Sequence, residues 1–205
     1  MSLLVATTNP HKLDELRAIF APLGITAVGL DSLGKSLPEP YEDGSTFEEN
    51  AAKKALSYAF LSGQVCLADD SGLEVEALKG EPGVHSAYWA GRGNTRAERD
   101  AANNLRLTAE MDGIVGAARA ARYVCCICVG SPDGRIVATS RGEMAGRVTT
   151  GAARGKHGFG YDPLIELGDG RTVAELSEAE KNAISHRSAA ARAIAPKLAE
   201  ILRGG

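Results

Sequence analysis

Apolar and polar residues follow two different spacings at the start of the chain. Residues 3–6 form a short apolar run, whereas residues 13–23 place apolar side chains at intervals of three to four. This change of period predicts a strand followed by an amphipathic helix. Asn9 is a favourable N-cap and Pro10 suits the first helical position, so we expect the helix to begin at Pro10.

Capping signals mark two further helices. Thr46 with Glu49, and Thr95 with Glu98, match the capping box, and they predict helices that reach about residues 61 and 111. Between these helices, residues 65–68 indicate a buried strand that ends at the Asp-Asp-Ser-Gly sequence of residues 69–72. Residues 73–77 then alternate between apolar and acidic side chains.

The second half of the chain shows a different order of elements. Residues 123–129 and 136–140 predict a hairpin around the turn sequence Ser-Pro-Asp-Gly at 131–134. Residues 149–162 are glycine-rich and irregular, and a cap signal at Ser177 opens a mostly helical C-terminal segment. This order predicts an α/β fold, a mixed β-sheet flanked by helices, in a single domain over residues 1–205.

Composition narrows the class of protein. The chain has 205 residues, 44% of them hydrophobic, with a formal net charge of -3, and a core of that size needs no disulfide or metal to fold. No basic face or tail is present for a nucleic acid polymer. Residues 1–8 carry no basic leader, so we interpret them as the first strand of a cytoplasmic protein without a membrane anchor.

Several familiar motifs are incomplete. Thr150 stands where a P-loop requires its first glycine, and residues 158–163 lack the third glycine of a dinucleotide-binding turn. The cysteines at 125, 126 and 128 lack a second pair of metal ligands, so they are expected to be free core thiols. No Gly-x-Ser-x-Gly elbow indicates a serine hydrolase.

Carboxylates at the ends of elements remain as the main chemical signal. Asp69 and Asp70 are adjacent beside a buried strand, where two negative charges are costly unless a cation offsets them. Mg²⁺ with a phosphate ligand is a common solution for such oxygen donors. Glu42 or Asp43, in a loop before a helix, is a candidate second carboxylate. A solvated turn is the alternative interpretation of both segments.

Six segments, taken together and in order, resemble a known family. They are residues 7–12 (TTNPHK), 42–51 (EDGSTFEENA), 68–73 (ADDSGL), 82–84 (PGV), 158–163 (GFGYDP) and 174–187 with its AELS, EK and SHR sequences. This arrangement resembles the inosine/xanthosine triphosphate pyrophosphatase family. In one departure, Tyr88-Trp89 follows Ser86-Ala87 where the family often has Arg-Tyr, so no arginine role is carried over to position 88.

The resemblance implies a Mg²⁺-dependent homodimer that hydrolyses dITP, ITP and XTP to the monophosphate and pyrophosphate and so cleanses the nucleotide pool. It also implies an elongated fold whose active-site cleft lies between two lobes. By position, Asp70 is catalytic, and Glu42 and Asp70 hold the metal. Substrate contacts are implied for Thr7, Thr8, Asn9, Pro10, His11, Lys12, Lys54, Ser71, Phe159, Gly160, Tyr161, Asp162, Lys181, His186 and Arg187.

Elementary chemistry agrees with several of these roles. The first amides of the helix at Pro10 and the charge of Lys12 suit an anion. Phe159 lies among glycines that allow a flat base to approach its ring. His186 and Arg187 bring donors for the 6-keto oxygen of hypoxanthine or xanthine, where adenine presents a donor of its own.

Base recognition also makes a geometric demand on the C-terminal segment. On one continuous helix, Lys181 and His186 would be separated by about 140° around the axis and could not face one base. We therefore expect a break near Ser185, with Ser185 capping a new helix at His186.

Two rival functions stay open from the sequence. One is a nucleotide-binding module without catalysis, which the presence of both Glu42 and Asp70 disfavours. The other is a pyrophosphatase for modified pyrimidines or ordinary nucleotides, which the Ser-His-Arg sequence at residues 185–187 disfavours.

Overall fold

The computed structural model describes residues 2–204, and within them the chain forms six strands and five α-helices. In chain order these are β1 (Ser2–Val5), α1 (Pro10–Phe20), β2 (Thr26–Gly29), α2 (Phe47–Ser62), β3 (Cys66–Val75), α3 (Arg96–Glu110), β4 (Ala120–Gly130), β5 (Ile136–Val148), β6 (Ile165–Glu166), α4 (Glu178–Ile184) and α5 (His186–Gly204).

The strands form one mixed sheet in the order β2-β1-β3-β4-β5-β6. β1 pairs in parallel with β2 and with β3, whereas β5 and β6 are antiparallel. Parallel neighbours require helical crossovers, and α1 and α2 supply them. The predicted α/β class and mixed sheet are therefore confirmed.

The chain divides into two compact units. Unit one contains the described residues up to Asp70, Cys125–Glu143 and those from Ser185 onward. Unit two contains Ser71–Val124 and Met144–Ile184. The single domain over residues 1–205 stays a prediction.

The core of unit one lies between strands and helices α1 and α5. Buried side chains from β1 (Leu3) and β4 (Ile127) meet Phe20 of α1 and Leu198 of α5. Each large apolar side chain buried in this way contributes about 1.5–3 kcal/mol relative to exposure to water. These contacts fix α1 and α5, the two helices whose first turns carry predicted site residues.

The core of unit two combines apolar packing with a buried arginine. Leu107 of α3 and Leu73 of β3 belong to its apolar cluster. The guanidinium of Arg119 donates to the carbonyl oxygens of Met111 (2.9 Å) and Val148 (2.7 Å). Because backbone carbonyls satisfy this buried cation, it fastens the end of β5 to the segment after α3.

Helix starts follow the predicted caps. The Asn9 side chain accepts from the amide of His11 at 3.1 Å, and Pro10 occupies the first turn of α1. Thr95 and Glu98 form a complete capping box at α3, whereas at α2 the hydroxyl of Thr46 alone caps the helix. The predicted helix positions are therefore confirmed to within a few residues.

The C-terminal helical segment breaks at Ser185, as predicted. α4 ends at Ile184 and α5 begins at His186. The Ser185 carbonyl accepts from the amide of Ala189 at 2.9 Å, and its hydroxyl accepts from the amide of Ser188 at 3.2 Å. Ser185 is thus the cap of α5.

The predicted end of a strand at residues 69–72 is wrong. β3 runs without interruption from Cys66 to Val75 and includes both aspartates. Asp, Ser and Gly favour turns when they are solvated, but Asp69 and Asp70 are buried here and bonded to cationic side chains. Those contacts offset the cost of placing carboxylates inside a strand.

The thiols are buried and inert. Cys66, Cys125, Cys126 and Cys128 are all free, which confirms the prediction made for the last three. Burial raises the pKa of Cys66 to about 12 and that of Cys128 to about 11. These thiols therefore stay protonated near neutral pH. Among the described helices, none is long and apolar enough to cross a membrane.

We expect Gly142→Ala to lower the free energy of unfolding by about 2 kcal/mol. A Cβ at this position of β5 would overlap the His186 carbonyl oxygen and the Ala190 amide nitrogen, which are backbone atoms of α5. Gly168→Ala is the control, because nothing lies within 4 Å of a Cβ there. Denaturant unfolding of both variants measures the difference, and equal stability would contradict the close packing of β5 on α5.

Candidate active site

The N-terminus of α1 presents an unpaired side-chain donor shortly after a buried strand. β1 leads into Thr7, whose hydroxyl accepts from the amide of Asn9 at 3.1 Å. The Asn9 Nδ2 atom is buried and, among the described residues, has no hydrogen-bond partner. Thr8 and His11 are exposed beside it. The helix dipole and this amide donor make the segment suitable for an anion.

Asp69 is the centre of a buried group of charges that we call the Asp69 cluster: Lys12, Asp69, Arg187 and Glu15. The Oδ2 atom of Asp69 lies 3.0 Å from Lys12 Nζ and 3.2 Å from Arg187 Nη2. The Nη1 atom of Arg187 contacts a carboxylate oxygen of Glu15. Two cations and two carboxylates balance, and the cluster joins α1, β3 and α5.

The charges of this cluster control the ionisation of Asp69. Burial is the largest influence and alone would raise the pKa of Asp69, but Lys12 and Arg187 outweigh it and hold that pKa below its ordinary value. Since the unfolded chain protonates near pH 3.9, the ionised Asp69 stabilises the fold above that pH. This stabilisation is lost as the pH falls through the lower pKa of the folded state.

Asp70 belongs to a second group, the Lys54 site, made of Glu42, Lys54 and Asp70. Lys54 Nζ lies 2.7 Å from Glu42 Oε2 and 3.2 Å from Asp70 Oδ1. Asn50, one turn before Lys54 on α2, donates to Asp70 Oδ2 at 3.3 Å and accepts from the amide of Gly44 at 2.8 Å. The Asn50 side chain thus links the loop before α2, which contains Glu42, to Asp70 of β3.

Ionisation in the Lys54 site differs from that in the Asp69 cluster. Burial raises the pKa of Asp70, and the charges of Lys54 and Lys12 only partly oppose it. For Lys54, burial alone would lower the pKa, but Asp70, Asp69 and Glu42 together raise it. Asp69 is therefore held as a fixed anion, whereas Asp70 is the stronger proton acceptor of the two.

The donor set of the Lys54 site fits Mg²⁺. Two carboxylates share one lysine, and Mg²⁺ is usually bound by one or two carboxylates together with water and phosphate oxygens. Within residues 2–204, no group of three or more His, Cys, Asp or Glu side chains forms a cage for a metal ion.

Unit two contains a separate group of predicted residues, centred on Asp162. Its Oδ1 atom accepts from Tyr123 Oη at 2.9 Å, and Oδ2 accepts from Lys181 Nζ at 2.8 Å. Oδ2 also accepts from the amide of Phe159 at 2.9 Å, which closes a tight turn over residues 158–162, here named the Phe159 turn. A Cβ at Gly158 would overlap the Asp162 carboxylate, so glycine is required there.

The ring of Phe159 lies between polar neighbours rather than in the apolar core. Lys181 Nζ is 4.5 Å from the ring centroid and the Arg96 guanidinium carbon is 4.9 Å away. The hydroxyl of Tyr161 donates to the carbonyl of Ser86 at 2.9 Å. A ring held by cation–π contacts and a fixed turn is suited to stacking against a flat base.

Three predicted site residues near the groups described above are buried or partly buried in the structure. Arg187 is 1% exposed and faces the carboxylates of Asp69 and Glu15. His186 is buried at the start of α5. Ser71 follows Asp70 in β3 and is partly buried. Convergence of Lys181, His186 and Arg187 on one base stays a prediction.

Three polar residues of these groups were missed by the sequence interpretation. Asn50 carries a signal, because it lies four residues before Lys54 and shares its helix face. No sequence signal identifies Glu15 or Tyr123. The partner of Glu15, Arg187, is 172 residues away, and the partner of Tyr123, Asp162, is 39 residues away. Contacts over such separations are fixed only by the fold.

The match to a family decides the relationship of this chain to known proteins. The profile described as the Ham1 family matches residues 3–197. The chain belongs to the Ham1 family. It is 43% identical to the dITP/XTP pyrophosphatase of Anaeromyxobacter dehalogenans, with 100% of both chains covered. It is 46% identical to that of Frankia alni, over 98% of this chain and 99% of the relative.

Solved structures of Ham1 proteins show the same fold. A HAM1 protein from Coxiella burnetii superposes with a TM-score of 0.84 at 34% identity, covering 98% of this chain and 99% of the other. A nucleoside-triphosphatase / dITP/XTP pyrophosphatase from Mycobacterium abscessus gives a TM-score of 0.73 at 38% identity, covering 96% and 97%.

We expect the adjacent aspartates to differ in their effect on stability. Asp69→Asn leaves Lys12 and Arg187 opposite a neutral group, and breaking a buried ion pair in this way costs about 3–5 kcal/mol. Asp70→Asn costs about 1 kcal/mol, because Lys54 keeps Glu42. Thermal and denaturant unfolding measure both values.

The exposed pair of Asp14 and Arg17 provides the control. Asp14→Asn removes a surface ion pair and is expected to change stability by less than about 1 kcal/mol. A loss for Asp69→Asn as small as that for Asp14→Asn would show that the Asp69 cluster does not support the fold.

Proposed function

We propose that this protein hydrolyses non-canonical purine nucleoside triphosphates, namely dITP, ITP and XTP, to the monophosphate and pyrophosphate. The observation that carries the proposal is the sharing of Lys54 by Glu42 and Asp70 in a chain of the Ham1 family. Relatives at 43–46% identity bear the name dITP/XTP pyrophosphatase, which supports the substrate class.

The triphosphate is bound by donors of unit one. The first turn of α1, Thr7, Thr8 and the Asn9 amide supply neutral donors, and Lys12 adds a positive charge. Asp69 holds Lys12 at 3.0 Å and so sets the position of its ammonium group. Pro10 has no N–H to donate and fixes the start of α1, and His11, whose amide donates to Asn9, lies exposed beside the triphosphate site. Preorganised donors of this kind stabilise the charge that develops on phosphate oxygens.

Asp70 is the base that accepts a proton from the attacking water. Its carboxylate is held in place by Lys54 at 3.2 Å and by Asn50 at 3.3 Å, which gives it the fixed orientation that a general base needs. Lys54 stays protonated beside it, because the pKa of Lys54 is raised, and it offsets the negative charge of the leaving pyrophosphate.

Mg²⁺ is the cofactor that this proposal includes. Glu42 and Asp70 would hold it through their carboxylates, with the remaining ligands from phosphate and water. When bound, the ion supplies Lewis-acid stabilisation of phosphate charge. Asn50 keeps the Asp70 carboxylate oriented through its 3.3 Å hydrogen bond.

Base recognition is assigned to the residues that match the family in the C-terminal third. Phe159 stacks on the base, while Gly160, Tyr161 and Asp162 hold its turn. Lys181 is fixed by Asp162 at 2.8 Å. His186 donates toward the 6-keto side, where the 6-amino group of adenine would leave a buried donor unpaired. Arg187 is buried against Asp69 and Glu15, so it supports this donor by fixing the start of α5.

The proposal also covers the cellular location and the oligomeric state of the protein. The enzyme acts in the cytoplasm, as one domain, and keeps non-canonical nucleotides out of the pool. It forms a homodimer, in which exposed apolar side chains such as Phe60 (74% exposed) and Val115 (75% exposed) are candidates for burial by the second copy.

A nucleotide panel tests the proposed activity. We expect pyrophosphate as the first product from dITP, ITP and XTP, and slower turnover of ATP and GTP. Adenine presents a 6-amino donor to the base site, and guanine adds a 2-amino donor that hypoxanthine and xanthine lack. Ion chromatography of the products with and without Mg²⁺ makes the measurement. Equal turnover of ATP and ITP, or orthophosphate as the first product, would contradict the proposal.

Asp70→Asn is expected to reduce kcat for ITP by about 10²- to 10⁴-fold, because the amide cannot accept the proton. Asp43→Asn is the matched control: it lies next to Glu42, is exposed and pairs with Lys53 on the surface. Steady-state kinetics of the two folded variants decide the role, and near-normal turnover by Asp70→Asn at saturating Mg²⁺ would refute it.

A further inference from the structure

Helix α3 carries a row of polar residues that none of the family-like segments contains. Arg96, Asp100 and Asn104 follow one another at intervals of four, so their side chains share one face of the helix. We call them the α3 row. All three lie in unit two, together with the Phe159 turn.

The α3 row contacts the Phe159 turn at both backbone groups of one residue. The amide of Gly160 donates to Asp100 Oδ2 at 3.0 Å, and the carbonyl of Gly160 accepts from Asn104 Nδ2 at 3.0 Å. Gly160 has a φ of +62°, a left-handed conformation that a side chain would disfavour. The two side chains thus hold a glycine that could otherwise adopt many conformations.

The first residue of the row lies against the aromatic ring itself. The Arg96 guanidinium carbon is 4.9 Å from the centroid of the Phe159 ring. Asp100 Oδ2 lies 3.8 Å from Arg96 Nε and so keeps the guanidinium near the ring. The α3 row therefore contacts both the Phe159 ring and the backbone of the next residue, Gly160.

Two buried polar atoms of the row have no hydrogen-bond partner among residues 2–204. They are the Nε donor of Arg96 and the Oδ1 acceptor of Asn104. A buried donor or acceptor left unpaired costs about 1–3 kcal/mol. In folded proteins such atoms are explained by strain, by a functional role, or by a bound water or ion.

We propose that Arg96, Asp100 and Asn104 are positioning residues that set the orientation of the Phe159 ring and thereby the affinity and selectivity for a 6-keto purine base. This inference rests on the proposed function, because it assumes that Phe159 stacks on the base. It adds a second set of residues behind the ring, on a helix outside the family-like segments.

Asn103 shows what a purely structural polar residue of the same helix does. Its side chain donates to the Ser86 carbonyl at 3.0 Å and accepts from the amide of Ala90 at 2.8 Å. It is 2% exposed and holds a different loop. The α3 row differs from it because its partners are the ring and backbone of the Phe159 turn.

Binding of inosine monophosphate, measured by calorimetry without Mg²⁺, separates base contacts from phosphate chemistry. Asn104→Leu removes the donor to Gly160, and we expect it to weaken this binding by about 10-fold. Inorganic triphosphate lacks a base, so its affinity is expected to stay within about 2-fold in the same variant.

Two variants of Asp100 distinguish positioning from general destabilisation. Asp100→Asn retains an acceptor for the Gly160 amide and is expected to keep affinity within about 3-fold, whereas Asp100→Leu is expected to lose about 10-fold. Thr108→Ala is the control on α3, since Thr108 is exposed and its hydroxyl donates to the backbone carbonyl of Asn104 within the same helix.

In kinetics, Asn104→Leu and Asp100→Leu are expected to raise KM for ITP by about 10-fold with little change in kcat, and to narrow the preference for ITP over ATP. Unchanged monophosphate affinity in both variants, or an equal loss of inorganic triphosphate binding, would overturn the positioning role. A wild-type protein that binds neither inosine monophosphate nor ITP would instead contradict the proposed function.

Discussion

A carboxylate buried as deeply as that of Asp69 costs several kcal/mol unless opposite charges lie beside it. In this protein Lys12 and Arg187 supply those charges from helices at opposite ends of the chain, and Glu15 balances the arginine. The ion cluster therefore requires α1, β3 and α5 to be in place together. It also fixes Lys12, the cation at the first turn of α1, before any ligand arrives.

The same cluster explains how two neighbouring aspartates can have different chemistry. Successive side chains of a strand point to opposite faces, so Asp69 and Asp70 meet different partners although they are adjacent. Asp69 accepts two full positive charges, and its pKa is lowered. Asp70 shares Lys54 with Glu42, and its pKa is raised by burial. The surroundings, rather than the residue type, thus make Asp69 a fixed anion and Asp70 the stronger proton acceptor.

Local features of the fold could be predicted from the sequence, whereas long-range contacts could not. The caps at Asn9 and Thr95 and the break at Ser185 depend on hydrogen bonds within a few residues, and all were predicted. The end of a strand at Asp69 was predicted wrongly, because its turn-forming sequence is held in β3 by charges from distant segments. The pairing of Asp69 with Arg187 spans 118 residues and has no local signature.

The glycine at position 158 has a consequence for how this protein can change over evolutionary time. Any side chain there would collide with Asp162, which also holds Lys181 and the Phe159 amide. A single substitution would then disturb three bonds of Asp162 at once, those from Lys181, the Phe159 amide and Tyr123, so few substitutions in this turn are neutral. If the Phe159 ring stacks on the base as proposed, substitutions in the α3 row behind it would alter base selectivity in smaller steps than substitutions at Gly158.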